Sequence, residues 1–404
     1  LKAPTVTPGA GFIHFSWPDL GLRVEVERFN AEGQAELQFF SADKTEGALL
    51  HITRSNLLAT GAMTSLAKRL EKNSKDIPWA EVLTYITGKT LEIARRGEPS
   101  NEIWPSDEDT LEVQYLLEPL LYLSHPTVIF GDYGSLKSLV ALVIAYAVQL
   151  PYHDNALGLT TAKDSAPCLY LDYEDDTSSF QKRWSALERG FTKGAMPIQY
   201  RRMTAPLADS TEQLKKAVED AGARLLIIDS LGPAARGPLN DAEPAIRYHA
   251  ALRQLGVTSL TLAHTAKDQF TKHRSIFGSV FFTNLARSVW ECKAEQETGE
   301  DEALISLKQT KANLSRLHPP LGYRFTFSDN SISVAHTDLR DTGLSGELPL
   351  SVRIKDLLRR GSMTVKAIAE ALEANEASVK TTVNRMAKKG VTVKVGDTWG
   401  LAAL

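Results

Sequence analysis

Apolar and polar residues alternate in three short runs near the start of the chain, Phe12–Trp17, Leu22–Arg28 and Ala35–Phe40. Strand side chains point to opposite faces in turn, so each run predicts a strand with one buried face. Pro18, Asp19, Gly21, Asn30 and Gly33 lie between the runs and supply turn chemistry, which predicts a small antiparallel meander. The apolar spacing then changes to three and four residues. Leu57, Leu58, Met63, Leu66 and Leu70 predict a helix over Thr53–Lys72, and a second pattern covers Trp79–Arg96. An acidic, proline-containing stretch from Glu98 to Glu112 reads as a connection. Residues 1–100 thus form a small α+β unit, with a linker at 101–115 and no visible chemistry in either.

Beyond residue 115 apolar strands alternate with helical segments. The strand candidates are Thr127–Phe130, Cys168–Leu171, Leu225–Ile228, Leu260–Ala263, Leu304–Leu307 and Arg324–Phe327. Unbroken apolar runs such as Leu225–Ile228 suit strands covered on both faces, so an α/β core with a predominantly parallel sheet is expected over 116–334. Residues 335–350 are rich in Asp, Thr, Gly and Leu and read as a second linker. Residues 351–404 predict three helices, Val352–Arg359, Val365–Leu372 and Ala377–Lys388, then a hairpin turning at Gly396–Asp397. That is the layout of a winged helix-turn-helix.

Composition narrows the setting. The net charge of −3 over 404 residues makes the chain no polycation, so nucleic-acid affinity has to come from local basic patches. Only Cys168 and Cys292 occur, without metal-ligand spacing, which fits free thiols in a reducing cytoplasm. No run approaches the roughly 18 apolar residues that a membrane helix needs. The chain starts at Leu1, and residues 1–15 lack the plan of a secretory signal.

The chemistry is concentrated in four segments of the core. TVIFGDYGSLKSL (Thr127–Leu139) is a strand, a glycine-bearing loop and a helix opening with Lys-Ser. Backbone amides of Gly131, Asp132, Tyr133, Gly134, Ser135, Leu136 and Leu139, with the helix N-terminus, would cradle the phosphates of ATP. Lys137 would reach the β- and γ-phosphates and Ser138 would hold Mg²⁺. Leu136 stands where the usual pattern has glycine, a costly exchange if φ is positive there, unless Gly134 supplies the flexibility. YLDYEDD (Tyr170–Asp176) ends a strand in acids, and Glu174 is the expected general base, with Asp175 and Asp176 opening a helix or ordering water. LLIID (Leu225–Asp229) places Asp229 as a second Mg²⁺ ligand. LAHT (Leu262–Thr265) ends a strand at His264, either a group beside the γ-phosphate or an ordinary satisfied histidine.

Taken in order, GDYGSLKS, YLDYEDD, LLIIDSL and LAHTAKD resemble the RecA-like P-loop ATPases of the DnaB and plasmid RepA hexameric helicase group. The segment from Asp241 to Thr258 resembles that group's helix before the sensor strand, and the likeness spans about Leu116 to Phe327. It implies a RecA-like core in which Glu174 is catalytic, Asp229 is the acid of the second nucleotide motif and His264 is the sensor. It also implies a homo-oligomeric ring, commonly of six subunits, with a cation given in trans by Arg287 or by Lys308 and Lys311. Relatives carry a Lys-x-Arg element near there, whereas this chain reads Lys311-Ala-Asn313. In such a ring the loops bearing Arg236 and bearing Lys272, His273 and Arg274 would face the lumen and could follow single-stranded DNA. Lys380, Asn384 and Arg385 of the last helix, with Thr381, Lys388 and Lys389, would meet duplex DNA, a protein partner or the chain's own core. Three functions are compatible with these residues: a replicative helicase or translocase, a regulatory or repair ATPase that switches without separating strands, and a nucleotide-binding structural protein.

Overall fold

The computed structural model describes residues 1–9, 12–41, 48–72, 74–96, 102, 112–150, 155, 157–191, 196–266 and 274–403. Two compact units are present, residues 1–110 and 111–404.

In the first unit β1 (Thr5–Gly9), β2 (Phe12–Trp17), β3 (Leu22–Glu27), β4 (Gln34–Ser41) and β5 (Leu49–Asn56) form an antiparallel sheet in chain order. Two helices follow, α1 (Thr60–Glu71) and α2 (Trp79–Arg96). Alternate residues Phe15, Trp17, Val24, Leu37 and Phe39 are buried with Leu66, Leu70, Trp79 and Val82 of the helices in one core. The expected helix over Thr53–Lys72 is divided. Its first residues extend β5, where pairing to β4 outweighs the helical spacing, and the helix starts at Thr60.

The second unit begins with short strands β6 (Tyr115–Glu118) and β7 (Leu121–Tyr122), then β8 (Pro126–Gly131) and α3 (Lys137–Gln149). Next come β9 (Thr160–Thr161), β10 (Cys168–Asp172), α4 (Thr177–Phe191), β11 (Gln199–Arg202), α5 (Thr211–Ala221) and β12 (Leu225–Asp229). α6 (Leu231–Ala235), α7 (Ala242–Leu255), β13 (Thr258–His264), α8 (Val280–Leu285) and β14 (Ser288–Glu295) follow. β15 (Glu302–Ala312), β16 (Leu321–Ser328) and β17 (Ser331–His336) complete a nine-stranded sheet of order β11-β10-β12-β13-β8-β14-β15-β16-β17. The six strands from β11 to β14 run parallel and the last three join antiparallel. Leu225 and Ile227 of β12 pack with α3 and α4, while Leu226 and Ile228 pack with α5 and α7. Burial on both faces is why these strands read as continuous apolar runs.

β14 escaped the sequence reading. Glu291 and Lys293 interrupt its apolar run, although Val289, Trp290, Glu291 and Cys292 are all buried. Residues 337–349 hold two short 3-10 turns that lie against the core: Leu339 is buried, and Glu347 pairs with Lys293 of β14 and Lys308 of β15. α9 (Leu350–Leu358), β18 (Met363–Thr364), α10 (Val365–Ala371), α11 (Glu376–Lys388), β19 (Thr392–Val395) and β20 (Thr398–Leu401) end the chain, with sheet order β18-β20-β19. Thr364 and Asn375 cap α10 and α11 through their side chains. No helix among the described residues is long and apolar enough to cross a membrane.

Candidate functional site

Because β8, β13, β12 and β10 run parallel, their C-terminal ends share one edge of the sheet. The register sets His264 beside Gly131 and Asp172 beside Asp229. Four segments distant in sequence therefore meet at the edge where parallel sheets bind ligands.

Gly131 ends β8 against the neighbouring strand. A Cβ there would lie 2.3 Å from the carbonyl oxygen of Cys292, so only glycine fits. Gly134 has φ of 76° and Leu136 has φ of 58°, both in the left-handed region. Gly134 thus does not relieve Leu136, which carries a strain of about 1–2 kcal/mol. The half-buried Leu136 side chain packs against the α3 core. Lys137 opens α3, and its ammonium donates to the carbonyls of Gly131 (3.0 Å) and Asp132 (2.8 Å) and to Ser135 Oγ (3.1 Å). Burial lowers its pKa. Below the loop the Cys292 thiol donates to the Ser135 carbonyl at 3.2 Å, and burial pushes its pKa up to about 12. An amide-lined turn, a helix N-terminus and a buried ammonium form an anion cradle.

Beside this cradle, Asp229 Oδ2 accepts a 2.6 Å hydrogen bond from the Tyr170 hydroxyl, and the Ser138 side chain also bonds this carboxyl. Burial raises the Asp229 pKa, with Tyr170 and Ser138 opposing the rise. Glu174 and Asp172 add further negative charge nearby. A buried carboxylate beside a hydroxyl, under repulsion from two other carboxylates, is a hard oxygen site with surplus charge, and it fits Mg²⁺.

Glu174 Oε1 accepts from the Ser230 hydroxyl and lies 3.7 Å from His264 Nε2. Asp172, which is 1% exposed, accepts the amides of Glu174 and Asp175, each at 2.9 Å, and so fixes the turn that presents Glu174. Asp175 pairs with Arg183 at 2.7 Å. Asp176 accepts the amides of Ser178 and Ser179 at the start of α4, and the Ser178 side chain together with these amides holds its carboxyl at about 2. The acidic run thus divides its labour. Asp172, Asp175 and Asp176 shape the turn, and Glu174, half-exposed, faces the cradle's edge.

The cations are distributed differently from the sequence expectation. Arg274, expected on a DNA-facing loop, donates instead to Asp132 Oδ2 of the phosphate loop at 2.6 Å, with Glu291 3.8 Å away. It borders a cavity of about 270 Å³ with Tyr133, Gly134 and Leu344. Arg287 is exposed at the start of β14, where its amide bonds Pro126, so it lies at the opposite edge of its own sheet from Lys137. Lys311 donates to the carbonyls of Thr283, Asn284 and Ala286, and Lys308 pairs with Glu347. Both lysines are therefore engaged within the chain. Arg236 is exposed after α6, in a loop bound to the next by the Ser279 amide on the Leu239 carbonyl at 2.7 Å. Lys272 and His273 lie outside the described residues. Lys380 and Asn384 are exposed on α11, where Asn384 donates back to the Lys380 carbonyl. Arg385 faces a cavity against the core. The side chain of Leu139 is buried in the α3 core, leaving only its backbone for the cradle.

Tyr170, Ser230, Asp172 and Arg274 were not read from the sequence in the positions they take here. Tyr170 carried the available signal: it shares Asp172's side of β10, next to the strand that ends in Asp229. For Arg274 no local signal exists, because its partner lies 142 residues away.

Residues 97–269 match the AAA_25 family model, described as an AAA domain. No curated protein matches the chain. Among solved structures, it is similar to a KaiC-like protein of the hyperthermophilic archaeon Pyrococcus horikoshii. The identity is 17% and the TM-score 0.38, over 54% of this chain and 93% of that one. The matched residues 97–269 hold the cradle and its acids, the arrangement of a P-loop ATPase core.

Proposed function

We propose that the chain hydrolyses ATP with Mg²⁺ to drive movement on DNA, as a RepA- or DnaB-like helicase or translocase acting in an oligomeric ring. The observation that carries the catalytic part is the convergence of Lys137, Ser138, Asp229 and Glu174 on one sheet edge. Ser138 and Asp229 would hold Mg²⁺, which would neutralise phosphate charge. Glu174 would take the proton of the attacking water, a role supported by the Ser230 hydroxyl and His264 Nε2 lying against its carboxylate. Lys137 would exchange its loop carbonyls for phosphate oxygens.

The DNA part is supported by the order of motifs, by the exposed Arg236 and by the exposed α11 face with Lys380 and Asn384. The three helices and small sheet of the C-terminal segment suit a winged helix. The ring is supported by the exposure of Arg287 at the far edge of the sheet, where a neighbouring copy could use it. ATP turnover with and without single-stranded DNA, and strand displacement on a forked duplex, test the proposal. Stimulation with displacement supports it, and unstimulated turnover without displacement overturns the motor reading. A second reading, a switch that does not separate strands, is favoured by the Glu347 clamp, which fixes the segment leading to the C-terminal helices beside the phosphate loop.

A further inference from the structure

A second cavity, about 570 Å³ in volume, lies where the β15–β16 connection, residues 338–349 and the C-terminal helices meet. Pro320, Pro349, Val352 and Met386 give it an apolar floor. Five cations border it, Arg340, Lys355, Arg359, Arg385 and Lys389, against two carboxylates, Asp338 and Asp356. Both carboxylates are already engaged. Arg340 lies 2.6 Å from Asp338 and 3.8 Å from Asp356, and Arg359 lies 3.0 Å from Asp356. Lys355, Arg385 and Lys389 have no carboxylate within 4.0 Å among the described residues, although α9 and α11 bring them to one opening. Converging like charges without counter-ions repel one another, and an anion seated between them removes that cost.

We propose that this cavity binds a nucleoside monophosphate, distinct from the nucleotide of the phosphate loop. The apolar floor takes the flat base, and Lys355, Arg385 and Lys389 take the phosphate. Size and chemistry agree with small-ligand pockets of about 300–1,000 Å³, apolar with a few directed polar groups. No divalent cation is needed, because the uncompensated charge comes from side chains. A ligand here would bridge core and C-terminal helices.

Isothermal titration of the Lys137→Ala chain with AMP in EDTA tests the site, since that variant and the chelator silence the phosphate loop. One equivalent bound, weakened at least about tenfold by Lys355→Glu or Arg385→Glu, is the expected result. Adenosine, which lacks the phosphate, should bind at least about tenfold more weakly than AMP. Circular dichroism verifies that the charge reversals leave the fold intact. Absence of binding, binding indifferent to both reversals, or one-for-one displacement of AMP by an oligothymidylate overturns the proposal; the last outcome would assign the cavity to a strand. ATP turnover by the wild-type chain is scored separately, so failure here leaves the catalytic reading standing.

Discussion

Arg274 holds the Asp132 carboxylate of the phosphate loop at 2.6 Å from a segment 142 residues further along the chain. A cation expected to meet DNA is thus joined to the nucleotide cradle. The same segment continues to Ser279, whose amide holds the loop that carries Arg236. Arg274→Ala should weaken ATP more than ADP and lower kcat/KM by roughly 10–100-fold, whereas Asp132→Asn, which frees the guanidinium, should be milder. Steady-state kinetics with paired ATP and ADP titrations decide this, and equal effects on both nucleotides would reduce Arg274 to a loop brace.

Glu174→Gln should keep nucleotide binding and lose roughly 10²–10⁴-fold in turnover, the contribution of a positioned general base. Normal turnover in this variant would remove Glu174 from the mechanism. Ser230→Ala should cost less, because Ser230 only orients the carboxylate.

Asp229 gives a prediction in which function and stability oppose each other. A carboxyl whose folded pKa is raised binds its proton more tightly in the folded chain, so its contribution favours folding at low pH and is lost as pH rises through the folded value. At neutral pH without metal, Asp229→Asn should therefore melt at a higher temperature than the wild type while losing ATPase activity. Tyr170→Phe removes a hydrogen bond that lowers this pKa. It should weaken Mg²⁺ binding, so that more Mg²⁺ is needed for half-maximal turnover, and move the acid limb of the activity profile to higher pH. Calorimetry and a pH–rate series measure the two effects.

Leu136→Gly should change stability by less than about 1 kcal/mol, because release of left-handed strain offsets the lost packing. The same exchange at Leu142, buried inside α3, should cost several kcal/mol through the cavity and the helical glycine together. Denaturant midpoints for the two variants test the contrast.

Much of this architecture could be read from local pattern. α2, β2 and the strands ending at Asp172 and Asp229 announce themselves by burial on a fixed period, and Lys137, Ser138, Glu174 and Asp229 by their places at strand and helix ends. What stayed hidden depends on pairing across the sheet. β14 carries Glu291 and Lys293 within a buried strand, and β5 is an edge strand with Leu49 and Ile52 exposed. Arg274 and Tyr170 acquire their roles from partners that only the folded sheet brings near.

Glu347, pinned between Lys293 and Lys308, is followed by only Leu348 and Pro349 before α9 begins. The tail is therefore bolted to the sheet with almost no slack. A shift of β14, the strand on which the phosphate loop rests, would be transmitted to the tail as leverage, and cutting that bolt with Glu347→Ala would turn a rigid arm into a loose one.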